Sequence, residues 1–511
     1  MLRVRAPAAL WSARDAADAD RYTMDQLGVP SPVLMERASL CVSHEIVDAL
    51  AGERMPVIVL VGPGNNGGDG LAIARQLHGW GLSVRALLVT PKRNAAAQQQ
   101  LGLARAMGVD IEDGVPSQTL AGRHVVIDAL LGTGSRGEPR GEIAAALAWQ
   151  RGLAGLRVAV DAPTGLDIDT GEVADVGFSA DRTVTFVRSK PGLHVTPGRA
   201  RAGRVVVADI GIVPTPGHRT ALQLIDPVEV ATAVAALPVG RHKGERGHVG
   251  IVGGSETTAG ATVLAGTSAL RAGAGLVTIV TGAARVREEL LAHRPELMVG
   301  TWGDGQAPVQ AAKALVVGPG LTDPVMQARL HALWIDDARP ALWDASALDH
   351  LPLRTAPGGP RIVTPHPGEA ARLLDRSAKA GWTAGDVQGR RIEAARRLAE
   401  VTHAVVVLKG EGTIVADPDG SCSVAVAGGP ALATAGTGDC LAGLVGALLA
   451  RGLAPRDAAI LGVHVHAVAG DVAAARVPGC IAMDVADAIA PAMTSAVLQA
   501  PVVTWPRYRR G

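Results

Sequence analysis

The sequence predicts an α/β protein built from two domains. Short apolar runs such as "VIVLVG" and "HVGIVGGS" end in glycine-bearing turns, the mark of buried parallel strands. Amphipathic stretches alternate with them, as expected when helices cover a largely parallel sheet. At 511 residues the chain also exceeds what one hydrophobic core usually supports.

The elements follow in order. Over 33–50, Leu34, Met35, Ala38, Val42, Ile46, Val47 and Leu50 fall near one helical face. "VIVLVG" then reads as a buried strand, a glycine loop follows, and "LAIARQLHGWG" reads as a helix stopped by Gly79 and Gly81. "SVRALLVT", "HVVIDALLG" and "RVAVDAPTG" repeat the strand-then-turn theme. Around "GIVPTPGHRT" (211–220) the pattern breaks into a linker, giving domains over 1–218 and 222–508. The second series is "HVGIVGGS", "GLVTIV", "ALVVGPGL", "ALWDAS", "RIVTPHPGE" and "AVVVLKG". Within it, "VVVLKGEGTIVADPDGSCSVAV" reads as a hairpin region around the turn Asp417 to Gly420.

Composition excludes several function classes. Net charge is +1 with no long run of one sign, so neither nucleic acid nor a membrane surface is an expected partner. No uncharged apolar run reaches the length of a membrane span. Aromatics are 2%, so the core must be Ala, Val, Leu and Ile packed closely with glycine. Cys41, Cys422, Cys440 and Cys480 form no Cys-x-x-Cys pair, which argues against a zinc site or disulfide framework and for the reducing cytoplasm. The N-terminus is Arg- and Ala-rich like a transit peptide, but Asp15, Asp18 and Asp20 follow at once. His464 and His466 lack a third metal ligand and read as helix residues.

"VGPGNNGGDG" (61–70) carries Gly62-x-Gly64-x-x-Gly67, a dinucleotide-binding spacing. The acid that would hold a cofactor ribose is missing, since Lys92 and Arg93 occupy that region. A phosphate loop fails too, because Gly67 is followed by Gly68-Asp69 rather than Lys-Ser/Thr. A plain tight turn remains open on spacing alone. Other strand ends add chemistry: Asp128 precedes a second glycine loop, and Asp161 stands three residues before Thr164. Beyond the carboxyl ends of parallel strands, Asn66, Asp128 and Thr164 can converge as oxygen ligands. One carboxylate among neutral oxygens suits a monovalent cation better than magnesium or calcium. Singly, each carboxylate also reads as a turn or cap residue.

Together, "NNGGDG", "DALLGTGSRG", "DAPTGLDIDTG" and "TFVRSKPGLHVTPGRARAGRVVVADIG" resemble the YjeF N-terminal domain, the NAD(P)HX epimerase, over roughly residues 10 to 215. The resemblance implies a Rossmann-like three-layer domain whose substrate site is lined by Asn65, Asn66, Gly67, Gly68 and Asp69. Gly132, Thr133, Gly134, Ser135, Arg136, Gly137 and Glu138 complete that lining. It further implies that Asn66, Asp128 and Thr164 ligate potassium and that Asp161 is the acid–base residue. Serine is usual where Thr164 stands, and threonine keeps the hydroxyl and backbone carbonyl.

In the second half, "ATAGTGDCLAGLVGALLARG" places Gly436, Thr437, Gly438 and Asp439 at the start of an amphipathic helix. Free N–H groups there favour phosphate charge, and Asp439 suits a base for a substrate hydroxyl. A glycine-rich helix start with an N-terminal Asp is also common without chemistry. Lys409 ends a strand before a glycine turn, suited to a nucleotide phosphate, while His366 and Glu369 sit in a proline-stiffened loop. With "HKGERGHVGIVGGS", "GATVLAGTSALRAGAGLVT", "VVGPGL", "TPHPGEAARLL", "LKGEGT" and "GTGDCLAG", residues 235 to 495 resemble the ribokinase-like NAD(P)HX dehydratase. That resemblance implies substrate contacts at Ala261, Gly320, His366 and Asp439. It implies ADP binding by Lys409, Gly410, Glu411, Gly412, Thr413 and Gly438, with Mg2+ accompanying the nucleotide. Ser346 stands where aspartate is usual, and Gly429 and Leu432 where Asn and Met are common.

The resemblances imply repair of hydrated NADH and NADPH. The first domain would equilibrate the R and S hydrates, and the second would dehydrate the S form using ADP, with a homo-oligomer expected. A small-molecule kinase, a non-catalytic N-terminal module and a nicotinamide-dependent dehydrogenase are the rival readings.

Overall fold

The computed structural model describes residues 8–494 apart from 119, 238–239, 241, 301, 303–308 and 379–380, together with 503–504. The chain divides into two compact units that part between Leu222 and Gln223, with 503–504 belonging to the first.

The first unit carries helices α1 (Ala13–Arg21), α2 (Ser31–Leu50), α3 (Asn65–Gly79), α4 (Ala95–Ala106), α5 (Gly141–Gln150) and the short α6 (Arg199–Ala202). Its strands are β1 (Val57–Val61), β2 (Val84–Leu88), β3 (Asp110–Asp113), β4 (Arg123–Ala129), β5 (Ala154–Val160), β6 (Arg182–Phe186) and β7 (Arg204–Ala208). They pair in parallel in the order β7-β6-β5-β4-β1-β2-β3, and Val503–Thr504 adds a further strand beside β7. The order reverses between β1 and β4, which opens a crevice beyond their carboxyl ends. β1 is buried along its whole length, as its unbroken apolar run predicts.

One expectation changes here. "NNGGDG" is not a loop before the helix; it is the first turns of α3, which begins at Asn65. The glycines are there for close approach. A Cβ at Gly67 would lie 2.0 Å from Gly62 O, and one at Gly70 would lie 2.5 Å from Ala129 Cβ. Tertiary packing therefore overrides the poor helix propensity of glycine.

The second unit begins with β8 (Leu222–Leu224), which straddles the boundary, and α7 (Pro227–Ala235). It continues through β9 (His248–Val252), α8 (Ala259–Arg271), β10 (Leu276–Val280), α9 (Ala284–His293), β11 (Met298–Gly300) and β12 (Ala314–Val317). Then come α10 (Pro324–Gln327), α11 (Leu330–Asp336), β13 (Ala341–Trp343), β14 (Arg361–Val363), α12 (Pro367–Ala378), α13 (Ala384–Gly389), α14 (Arg391–Thr402) and β15 (Val405–Leu408). β16 (Ile414–Ala416), β17 (Cys422–Val424), α15 (Thr437–Ala450), α16 (Pro455–Arg476) and α17 (Ala482–Thr494) close it. The sheet order is β11-β10-β9-β12-β13-β14-β15-β16-β17-β8, parallel from β11 to β15 and antiparallel through β16 and β17. The expected hairpin is present, with Gly420 N donating to Asp417 O at 2.9 Å.

α15 is buried along almost its entire length and packs on α8. A Cβ at Gly443 would lie 1.9 Å from Ala265 O, so the two backbones touch where only glycine fits. The core is Ala, Val, Leu and Ile, as the scarcity of aromatics requires. α16 has the length and mean hydropathy (1.5) of a membrane span, yet 72% of that window is buried within the protein. His464 and His466 lie on this helix, buried, and burial lowers both pKa values, His466 to about 4. All four cysteines are free and buried.

Candidate active sites

The crevice of the first unit holds a cavity of about 620 Å³. Asn65, Asn66 and Asp69 reach it from the first turns of α3, Gly132 to Ser135 from the loop after β4, and Asp161 from the end of β5. Leu34, Met35 and Ala38 of α2, with Trp11, Phe186 and Ile210, supply an apolar wall. The N-terminus of α3 turns unpaired N–H groups and a positive dipole end toward this space, which suits a pyrophosphate. Gly67 and Gly68 do not line it: they pack against Gly62 and Met35. Arg136, Gly137 and Glu138 lie outside the lining as well, with Arg136 paired to Asp169 at 2.7 Å and Glu138 accepting from Asp175 N at 3.1 Å.

Asp161 ends β5 in the left-handed region, φ 66°, a strained conformation for a non-glycine residue that aims its side chain into the cavity. Its Oδ1 accepts from Lys190 Nζ at 2.9 Å, Thr185 Oγ1 at 3.1 Å and Phe186 N at 3.4 Å. Oδ2 has no hydrogen bond among the described residues and remains for a substrate. Lys190 is 2% exposed. Sequence reading assigned it no role; its one signal was a lysine before Pro-Gly just past a strand end. Burial raises Asp69 well above the ordinary carboxylate range, reinforced by the charges of Asp161 and Asp20.

Asn66, Asp128 and Thr164 offer one carboxylate and neutral oxygens to a cation. Asp128 is fully buried, and its partners are neutral donors: Thr164 N at 2.7 Å, Thr164 Oγ1 at 2.8 Å and Leu130 N at 3.1 Å. Burial pushes it up to about 6 despite those bonds. Both polar atoms of the Asn66 amide are buried without a partner. A buried carboxylate lacking a counter-charge, and a buried amide oxygen without a partner, fit ligation of a monovalent cation.

In the second unit Gly436 is the N-cap of α15, with φ 90°, and Asp439 stands in the first turn. Burial and the neighbouring Asp344 charge push Asp439 up to about 7, while Lys409 pulls the other way. Lys409 Nζ lies 2.7 Å from Asp344 Oδ1 and 3.9 Å from Glu369 Oε2. Its pKa is raised: burial opposes the charge, but Asp344 and Glu369 outweigh burial. A Cβ on Gly438 would lie 3.5 Å from Lys409 Nζ and 3.8 Å from Asp344 Oδ2, so helix start, lysine and carboxylate share one small volume.

His366 N donates to Glu369 Oε2 at 2.7 Å, while His366 Nδ1 accepts from Gly368 N at 3.0 Å, fixing the ring. Gly320 turns with φ 62°, and its carbonyl accepts from Thr258 Oγ1 at 2.8 Å. Ala261 N bonds Thr258 O at 3.2 Å, so Ala261 and Gly320 meet around one threonine. Ser346 Oγ donates to Leu321 O at 2.5 Å, bracing the same loop.

Two contributors escaped sequence reading. Asp344 is 2% exposed and is the partner of Lys409. Arg391, fully buried, donates through Nη2 to the carbonyls of Leu408 (3.2 Å), Lys409 (3.1 Å) and Gly412 (3.4 Å), shaping the turn that carries Gly410, Glu411, Gly412 and Thr413. Burial lowers it to about 10, so it stays charged at neutral pH. Asp344 lies in the strand-and-turn run "ALWDAS", which by itself gave it no role, and Arg391 lies in none of the runs that point to the site.

Comparison with known proteins places this geometry. Residues 31–192 match the family described as YjeF-related protein N-terminus, and residues 249–491 match NAD(P)H-hydrate dehydratase. The chain is 34% identical over 479 residues to the bifunctional NAD(P)H-hydrate repair enzyme Nnr of Escherichia coli (strain K12), covering 93% of this chain and 91% of that protein. It is 37% identical over 498 residues to the enzyme of the same name from Moorella thermoacetica, covering 91% and 92%. The solved ADP/ATP-dependent NAD(P)H-hydrate dehydratase from Bacillus subtilis, co-crystallised with ATP/Mg2+, is 30% identical and covers 54% of this chain and 98% of that one, with a TM-score of 0.47. With both family segments in one chain and the E. coli and Moorella relatives aligned along nearly their whole length, the protein belongs to the bifunctional NAD(P)H-hydrate repair enzymes.

Proposed function

We propose that the protein repairs hydrated NADH and NADPH, with an epimerase in the first unit and a nucleotide-dependent dehydratase in the second. The sequence-expected span 222–508 for the second is corrected, because 503–504 pairs with β7 of the first. One observation carries the reading. Each unit ends a strand beside a buried lysine–carboxylate pair, Asp161 with Lys190 and Asp344 with Lys409, next to a helix start able to take phosphate.

In the first unit the nucleotide-derived substrate lies in the 620 Å³ cavity, its pyrophosphate at the α3 start beside Asn65 and Asn66 and on the loop Gly132 to Ser135. The hydroxyl-bearing carbon adjoins the ring nitrogen, whose lone pair can expel the hydroxyl with acid assistance, leaving an iminium open to water from either face. Asp161 exchanges a proton with the substrate through Oδ2. Asn66, Asp128 and Thr164 would hold potassium, which would supply positive charge to an otherwise uncompensated buried carboxylate.

In the second unit Ala261, Gly320 and His366 place the S hydrate against Asp439. With a pKa of about 7, Asp439 takes a hydroxyl proton near neutral pH. The freed oxygen accepts the terminal phosphoryl group of ADP, held by Lys409 to Thr413 and Gly438, and AMP leaves; Mg2+ accompanying the nucleotide would offset its phosphate charge. Loss of phosphate with the neighbouring C–H proton then restores the double bond. Free, buried cysteines support a cytoplasmic setting.

The test is recovery of reduced-nicotinamide absorbance from mixed R and S hydrate with ADP, for wild type, Asp161→Ala and Asp439→Ala. Full recovery by wild type, none by Asp439→Ala, and unaccelerated R conversion by Asp161→Ala are expected. No recovery by wild type with ADP or ATP overturns the reading in favour of a small-molecule kinase.

A further inference from the structure

Epimerisation through an iminium asks for proton transfer on both faces of one carbon. The hydroxyl leaving one face must be protonated there, and the water entering the other must lose a proton there. Asp161 is poorly placed to serve both, because Lys190, Thr185 and Phe186 grip its Oδ1 and its backbone is locked at φ 66°.

The same cavity receives a carboxyl group from a separate element. Asp20, in the last turn of α1, lines it together with Asp161, Asp69 and Lys190. Asp20 is half-buried and makes no hydrogen bond or ion pair among the described residues, so its oxygens are free for a substrate. Lys190 does not bind it, since the three ammonium hydrogens go to Asp161 Oδ1, Thr185 Oγ1 and Phe186 O. On its own helix, Arg21 is engaged by Asp18 at 3.5 Å. Burial raises the Asp20 pKa and the Asp161 charge raises it further, against a smaller lowering by Lys190. Asp69, facing the cavity from α3, adds no positive charge. One carboxylate is therefore ion-paired while the other holds its proton more readily, the division of roles that an acid and a base require.

We propose that Asp20 is a second acid–base residue of the epimerase, serving the face opposite Asp161. The inference rests on the epimerase reading. From protonated Asp20 and ionised Asp161, the ring-nitrogen lone pair forms the C=N bond as the C–O bond breaks, and the oxygen leaves with the Asp20 proton as water. A second water adds to the other face, the C=N electrons return to nitrogen, and the surplus proton passes to Asp161. The enzyme is then set for the reverse epimer, so protons and electrons balance over the pair of reactions.

The experiment follows R-to-S conversion by the full-length chain across pH for wild type, Asp20→Asn and Asp20→Glu. Wild type is expected to give a bell with an acid and a base limb. Asp20→Asn should lose about 10²- to 10⁴-fold in kcat with little change in KM and lose the limb that requires the acid, while Asp20→Glu restores part of both. Wild-type kcat and both limbs in Asp20→Asn overturn the proposal while leaving the epimerase intact. If Asp20→Asn does not fold, a wild-type profile with a single limb overturns it equally. No acceleration of epimerisation by wild type at any pH overturns the epimerase reading itself.

Discussion

Lys190 Nζ lies 2.9 Å from Asp161 Oδ1 and donates its other hydrogens to Thr185 Oγ1 at 2.6 Å and Phe186 O at 3.1 Å. The lysine is therefore a positioning residue: it holds one oxygen of the carboxylate and leaves the other facing the cavity. Lys190→Met should abolish epimerisation and lower stability by about 3–5 kcal/mol, because it strands a buried charge. Adding Asp161→Asn should return most of that stability and none of the activity. Thermal denaturation alongside the epimerase assay separates the two effects, and full epimerase activity in Lys190→Met refutes the role.

Thr164 Oγ1 donates to Asp128 Oδ1 at 2.8 Å and accepts from Leu131 N at 3.1 Å. Thr164→Val should destabilise the fold by about 1–3 kcal/mol. It should also raise the KCl concentration needed for half-maximal epimerisation by about 10-fold or more, whereas Thr164→Ser should match wild type. A KCl titration of the three proteins decides, and an unchanged dependence in Thr164→Val argues against a cation at this place.

Asp439 links dehydration to pH. Its pKa of about 7 means the rate should rise through neutral pH as the carboxyl ionises, and Asp439→Asn should be inactive at every pH. The stability sign is opposite to that of a paired carboxylate. The unfolded chain ionises near pH 4 and the folded one near 7, so folding stability falls as pH rises across that window. Asp439→Asn should therefore be more stable than wild type at pH 8, by up to about 3 kcal/mol after solvent screening, with no such gain at pH 4. Urea melts at the two pH values measure this.

Two glycines of the α15 start should respond differently to alanine. At Gly436, φ is 90° and a Cβ would meet Leu264 Cδ1 at 2.5 Å and Ala482 Cβ at 3.1 Å, so Gly436→Ala should cost about 1–3 kcal/mol in stability. At Gly438 the nearest atoms are 3.5 and 3.8 Å away, so Gly438→Ala should melt as wild type does. It should instead raise KM for the nucleotide, because the added methyl stands beside Lys409. Equal nucleotide KM in Gly438→Ala and wild type argues against phosphate approaching here.

Strand ends were legible in the sequence because a buried parallel strand needs an unbroken apolar run, and a turn at its carboxyl end needs glycine or a short polar residue. "VIVLVG", "HVVIDALLG" and "RVAVDAPTG" thus located β1, β4 and β5, and with them Asn65 and Asp161 at the cavity edge and Asp128 buried at the end of β4. The start of α3 is not legible in the sequence, since glycine lowers local helix propensity and its packing value appears only against Gly62, Met35 and Ala129.

By itself, then, the sequence determined two α/β units, many of their buried parallel strands, and the motif-borne carboxylates Asp161 and Asp439. Only the tertiary structure decided that Lys190 serves Asp161, that Asp344 serves Lys409, and that Asp20 enters the cavity from α1. Local patterns encode which faces are buried, because burial repeats with the period of each element. A lone charged residue carries no period, so its partner is fixed only when distant segments close around it.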